Sequence, residues 1–545
     1  MTTNQRARRS RLDSVRFTLF ASWLALAGTA CLRPAIAATA APPAGASLVV
    51  ATSAGRIRGL ARPGGGAEFL GIPYAEPPVG KLRWSAPVPA RPWKGIRPAI
   101  KFGAPCAQPV LGAWNRRDAA VSQENCLYLN VIVPHWPLRK SLPVMFWIHG
   151  GANLGGSGRG DLYNNGTLVR HGVVLVTINY RLGIFGFFAH PALTRESPHD
   201  ASGNYGLMDQ ILALRWVRAN IARFGGDPRN ITVFGQSAGA GDIGMLMASR
   251  GKSLFQKAIQ ESGSPIGRRP QTLMQAEQAG VRLAAALRAP PGDAAIPYLR
   301  AIAARALLAK MKAVGARADL SPEIDGWVLS RAPGHVFMSG RESGIPLLFG
   351  TTTRELASSQ SLEQLQARVR RYTGPFAPQV LATYGLARGD RGISDPKYGD
   401  GPRQLYVDVG FRCPAVLEAI WHTAAGHGAY EYEFDHAIPG QPFAVHSSEL
   451  PYVFGFFPRT GNLAGPFTPT DSRLADLIET YWTNFARTGN PNSKHVPEWP
   501  PFGRRRNYIE FLQDGAVARA QDLRAMQCAL YRKYRAWQVA HPPTE

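Results

Sequence analysis

The sequence predicts an α/β fold, a mostly parallel central sheet flanked by helices, and three observations predict it. Short continuous apolar runs, at residues 173–178 and 231–234, have the length and β-branched content of buried strands. Helical stretches such as residues 207–223 alternate with these runs, as layered α/β architectures require. Two strand-like runs, 142–148 and 230–234, pass directly into glycine-rich turns.

The chain has 545 residues, enough for two or three domains by length, and it can bury a large core. No low-complexity linker, charge block or internal repeat divides it after the N-terminus, so we expect one large domain over 38–545. Residues 1–37 read as a signal peptide: Arg6, Arg8, Arg9, Arg11 and Arg16 precede an apolar run at 17–32, and Ala35-Ile36-Ala37 supplies small residues for cleavage. The run is short and broken by small residues, so no stable membrane anchor is expected, and the destination is secreted or periplasmic.

The first glycine-rich turn is His149-Gly150-Gly151-Ala152-Asn153-Leu154-Gly155-Gly156. A backbone free of bulky side chains can bring N–H donors up to a developing oxyanion. The second is Gly235-Gln236-Ser237-Ala238-Gly239, followed by a small-residue segment able to start a helix. A serine in a sharp strand-to-helix turn needs small neighbours two positions away, and its hydroxyl is exposed. In a chain with 57 Gly the pattern is weak alone; the upstream loop strengthens it. A serine nucleophile also needs an imidazole and a carboxylate to orient it. Seven histidines follow the elbow (His335, His422, His427, His436, His446, His495 and His541), and spacing alone selects none of them.

The stretch Asn204-Tyr205-Gly206-Leu207-Met208-Asp209-Gln210, with Leu214-Arg215-Trp216-Val217 and Phe224-Gly225-Gly226-Asp227-Pro228 after it, resembles the type-B carboxylesterases, the cholinesterase-like and para-nitrobenzyl-esterase-like branch of the α/β-hydrolases. The resemblance extends to Phe69-Leu70-Gly71-Ile72-Pro73-Tyr74-Ala75, Leu82-Arg83-Trp84, Glu124-Asn125-Cys126-Leu127-Tyr128-Leu129-Asn130-Val131 and Asn179-Tyr180-Arg181-Leu182-Gly183. It implies an α/β-hydrolase fold with lid or insertion regions around an active-site gorge, and hydrolysis of carboxylic esters by a serine esterase.

Carried over by motif, the resemblance implies a triad of Ser237, Glu355 and His446, an oxyanion hole of the amides of Gly151, Ala152 and Ala238, and support of the triad carboxylate by Ser262. Leu356 stands where a Gly usually follows the triad acid, Ala152 where a third Gly is common, and Gln236 where many relatives have Glu. The alternative for Glu355 is a solvated carboxylate paired with Arg354; His427 and His436 become ordinary surface or core imidazoles. The resemblance also implies disulfides Cys106–Cys126, at the gorge mouth, and Cys413–Cys528, on the C-terminal helix; four cysteines remain after residue 37. Trp114, between the first two cysteines, and Gln236 are the candidates for contact with substrate in the gorge.

No cysteine pattern indicates a metal site, and the chemistry requires no metal and no cofactor. The net charge is +25; residues 1–37 hold six Arg and one Asp, a charge of +5, which leaves +20 for the rest. The basic residues are scattered, with no recognition helix or aromatic platform, so no nucleic-acid partner is expected and the partner is a small-molecule ester. Other readings are a catalytically silent adhesion or binding member of the fold, which the filled triad positions oppose, and a lipase acting at lipid interfaces.

Overall fold

The computed structural model describes residues 48–540 apart from 64, 138–140, 268–269, 316–319 and 388–391, so the expected signal peptide lies outside the described residues. The strands in chain order are β1 (Val49–Ala51), β2 (Arg56–Arg58), β3 (Leu60–Ala61), β4 (Ala67–Pro73), β5 (Ile96–Pro98), β6 (Tyr128–Val133) and β7 (Leu142–Ile148). They continue with β8 (Val174–Ile178), β9 (Gly226–Gln236), β10 (Lys257–Glu261), β11 (Leu347–Thr352), β12 (Ala429–Phe434), β13 (Asn507–Phe511) and β14 (Val517–Gln521).

Among the described residues, eleven strands form one sheet in the order β14-β13-β12-β11-β10-β9-β7-β8-β6-β4-β3, while β1, β2 and β5 form a small second sheet. From β8 through β7, β9, β10, β11 and β12 to β13 every pairing is parallel; the outer pairings are antiparallel. The expected mostly parallel sheet is therefore present, with β9 near its middle.

Alternation along the strands explains the continuous apolar runs. Val144, Phe146 and Ile148 of β7 point into one core, Met145 and Trp147 into another on the opposite face. In β8, Val174, Val176 and Ile178 join the first core and Leu175 the second. A strand covered on both faces has no solvent side, so its sequence loses the polar half of the period-two pattern. Helix Tyr205–Asn220 covers the first core through Leu207, Ile211, Leu214 and Val217. Helix Pro469–Thr488 covers the second through Leu474, Ile478, Tyr481, Trp482 and Phe485. That helix begins with a capping box between Thr468 and Asp471 with Pro469 behind it, and it stops at Gly489, whose φ of 82° lies in the left-handed region.

The motifs that carried the resemblance bind one another. Arg83 holds Glu124 through Nε and Nη2, both at 2.6 Å, and Arg181 holds Asp209 through Nε and Nη2, both at 2.8 Å. Such planar, two-pronged pairs are geometrically specific, and both arginines are buried here. Both expected disulfides, Cys106–Cys126 and Cys413–Cys528, are formed. No helix among the described residues is long and apolar enough to cross a membrane.

Candidate active site

β9 ends at Gln236, and Ser237 takes φ 59° and ψ −122° before helix Ala238–Met247 begins. A left-handed φ on a side-chain-bearing residue is strained by about 1–2 kcal/mol, so the surroundings must enforce it. They do so by contact. A Cβ on Gly239 would lie 2.1 Å from Ile148 O, and one on Gly235 would lie 2.5 Å from the same oxygen. The Ser237 amide donates to Glu261 O at 2.8 Å, pinning the turn to the end of β10. The two elbow glycines are thus required by the closeness of β7.

The loop after β7 is strained as well: Gly151 has φ 111°, and Ala152 and Asn153 both have φ 58°. Asn153 Nδ2 donates to Asp242 Oδ1 at 2.9 Å, and Gln210 Nε2 donates to Asp242 Oδ2 at 2.6 Å. The Tyr180 hydroxyl lies 2.8 Å from His149 O and 3.0 Å from Asn153 Oδ1. Burial lifts Asp242 to about 7, although both amide bonds act to lower it. Burial lowers His149 to about 4, so its ring is neutral where it stacks on Tyr180. The amides of Gly151, Ala152 and Ala238 donate to no other group among the described residues. Gly150 is close enough to the elbow that a Cβ there would lie 3.0 Å from Ser237 Cβ. Trp114 is 49% exposed and overlies this loop; a Cβ on Gly151 would lie 3.1 Å from its Cη2.

Glu355 follows the end of β11, and His446 sits in the loop after β12. Two backbone bonds join these segments, Arg354 N to Ala444 O at 3.0 Å and His446 N to Glu355 O at 3.3 Å. The side chains meet at 2.5 Å between His446 Nδ1 and Glu355 Oε2, while Glu355 Oε1 accepts from Thr352 N at 2.8 Å. Arg354 is turned away and donates to Lys397 O, so it is not the partner of Glu355. Leu356 is exposed and takes no positive φ, so this position makes no demand for a glycine here. Burial pulls the His446 imidazole down, but the bond to Glu355 and the charges of Glu355 and Glu449 outweigh it and hold the imidazole above its ordinary value.

Two contacts differ from expectation. The Ser262 hydroxyl donates to Glu449 Oε1 at 3.4 Å instead of to Glu355, both of whose oxygens already have donors. Gln236 Nε2 lies 3.2 Å from His446 Nε2, so the residue expected to contact substrate in the gorge touches the imidazole directly.

Sequence reasoning also missed Glu261 and Glu449. Burial raises both to about 8; the Trp482 indole bond opposes it at Glu261, and the charges of Glu355 and Glu261 add to it at Glu449. Each retains one buried oxygen without a partner. The available signals were the place of Glu261 beside Ser262 and that of Glu449 three residues after His446, and neither indicates burial.

The residues gathered here come from the carboxyl ends of β7, β9, β10, β11 and β12, where open parallel sheets carry their ligands. A family model described as "Carboxylesterase family" matches residues 46–531. The chain belongs to the carboxylesterase family. This carboxylesterase is 34% identical to the fumonisin B1 esterase of Sphingopyxis macrogoltabida, over 90% of its own length and 93% of the relative's. It is 36% identical to the para-nitrobenzyl esterase of Bacillus subtilis strain 168, over 83% and 92%. Among solved structures it resembles a PNB esterase with a TM-score of 0.76 at 34% identity, covering 89% of this chain and 100% of that one. A carboxylesterase of Geobacillus stearothermophilus gives 0.76 at 33% identity with the same coverage.

Proposed function

We propose that this carboxylic ester hydrolase works through an acyl-enzyme on Ser237. The observation that carries the reading is the 2.5 Å contact between His446 and Glu355, with the far ring nitrogen of His446 directed at the elbow residue Gln236. Glu355 holds the imidazole with its proton on Nδ1, which leaves the lone pair on Nε2. Rotation of the Gln236 amide frees that lone pair for the Ser237 hydroxyl. Ser237 Oγ then attacks the ester carbonyl as its proton passes to His446, and the amides of Gly151, Ala152 and Ala238 receive the oxyanion. Collapse expels the alcohol with the proton from His446; water repeats the cycle on the acyl-enzyme.

No metal or cofactor takes part in this sequence. The basic charge, with Arg116 and Arg117 exposed beside Trp114, supports neutral or anionic esters as substrates. The relatives' names place a fumonisin ester and a para-nitrobenzyl ester on the panel to be tried. Residues 1–37 act in export as a cleaved leader, and 38–545 form the mature enzyme.

The test is covalent labelling with a phosphonate ester, followed by peptide mapping. Label on Ser237, and a loss of roughly three or more orders of magnitude in kcat for a folded Ser237→Ala, are expected. Label on another serine would overturn the reading. An intact wild-type chain with no turnover on any ester would return the binding-module reading, and a sharp rise of rate at a lipid interface the lipase reading.

A further inference from the structure

We propose that Glu342, His422 and His427 form a binding site for one divalent transition-metal ion of the zinc class, separate from the ester-cleaving site. Glu342 lies in the loop before β11; His422 is in the last turn of helix Cys413–Ala424, and His427 follows that helix just before β12. These are the amino ends of the parallel strands, so the cluster is a strand length, roughly 15–20 Å, from Ser237. A carboxylate oxygen of Glu342 and one ring nitrogen from each histidine all lie within 4.8 Å of one another.

The hydrogen-bond inventory favours an ion. His422 Nε2 lies 2.9 Å from Ile345 O, an atom that can only accept, so this nitrogen carries a proton. Nδ1 then faces Glu342 Oε1 at 3.0 Å. Nδ1 and Oε1 thus converge on one small volume, where a second ring proton makes a buried ion pair and a metal ion can stand in that proton's place. The bond from Nε2–H to a backbone carbonyl is the orientation that metal-ligating histidines almost always show, with Nδ1 left to face the ion. The Glu342 side chain is fully buried, and its Oε2 has no partner. A carboxylate placed out of water with an oxygen unsatisfied is costly, and a cation supplies what is missing.

Zinc ligands at about 2.0–2.2 Å sit roughly 3.4 Å from one another in a tetrahedron. Glu342 and His422 already approach that spacing; His427 closes the set by moving inward about an ångström or more. It is half-buried, and its ring rests on Gly344, where a Cβ would meet His427 Cε1 at 2.6 Å. The backbone bond from His427 N to His422 O, at 3.2 Å, sets both rings on one turn. An ion here would staple the 342–345 loop to the end of the helix, and water would complete its coordination.

The experiment uses the full chain without a polyhistidine tag, stripped with chelator and titrated with Zn2+ by calorimetry. One ion per chain, a rise in thermal midpoint on loading, and a Co2+ form with a visible ligand-field band are expected. His427→Ala should weaken Zn2+ binding by about a hundredfold or more and abolish the Co2+ band, since even outer partners of a metal ligand are worth 10–100-fold. Ester hydrolysis should be equal in the stripped, loaded and His427→Ala proteins. Glu342→Gln should reproduce the binding loss if it folds; His427→Ala, altering a half-buried ring, is decisive by itself. No binding by the wild type, or equal binding by wild type and His427→Ala, would overturn the proposal and leave His422 and Glu342 as a buried ion pair.

Discussion

The side-chain amide of Gln236 lies against the imidazole of His446, Nε2 to Nε2 at 3.2 Å, so the residue before the elbow serine covers the ring nitrogen that the proposed mechanism uses as its base. The amide donates without adding charge. A carboxylate at the same place would favour the protonated imidazole.

This relationship predicts the effect of Gln236→Glu on the pH profile. The new negative charge should raise His446 further, and since the base works only when neutral, the acid limb of kcat/KM should move to higher pH by roughly one unit. Gln236→Ala should move it little. A Glu variant with an unchanged limb would mean that position 236 does not touch the working imidazole.

His446 itself predicts where the wild-type limb lies. Its imidazole is held above its ordinary value of about 6.5, so activity should fall as pH drops through a midpoint above that figure. Glu355→Gln should cost about four orders of magnitude in kcat, as removal of the orienting charge does in comparable triads. Combined with His446→Ala the loss should be far less than additive, because the residues act as one unit. Multiplying losses would separate Glu355 from His446 functionally.

Glu261 predicts a pH dependence of stability. Burial raises its carboxyl to about 8, so between the ordinary carboxylate range and pH 8 the folded chain keeps a proton that the unfolded chain releases. Stability therefore falls as pH rises through that window. Glu261→Gln keeps an acceptor for the Trp482 indole and removes the titration, and should gain roughly 2–4 °C in thermal midpoint at pH 8.5 relative to wild type, with little gain at pH 5. Equal differences at both pH values would show that Glu261 does not titrate there.

Substrate charge is predicted by the surroundings of Trp114. Its exposed ring over Gly151 offers a face to a cation, but Arg116 and Arg117 beside it are exposed, and Gln236 is uncharged. A neutral ester isosteric with a choline ester should be cleaved with kcat/KM higher by about tenfold, equivalent to ~1.4 kcal/mol, and the long-range part should shrink with added salt. Preference for the choline ester at either ionic strength would reverse the assignment.

The order of chemistry along the chain was legible by itself. Apolar runs buried on both faces declare parallel strands, and the glycines at 150, 151, 235 and 239 mark where the end of β7 and the loop after it pass within van der Waals contact of the end of β9, of the elbow or of the loop itself, a constraint local enough to be written in local sequence. The resemblance supplied the partners that spacing could not: Glu355 and His446 stand 91 residues apart, and only their shared position at adjacent strand ends joins them. Tertiary structure alone decided the remainder. The contact of Gln236 with His446 spans 210 residues, Ser262 reaches Glu449 across 187, and Glu342 meets His422 across 80. Whether Glu261 and Glu449 hold a proton depends on being sealed from water by helix Pro469–Thr488 and its neighbours, and desolvation belongs to a packed volume that no stretch of sequence contains.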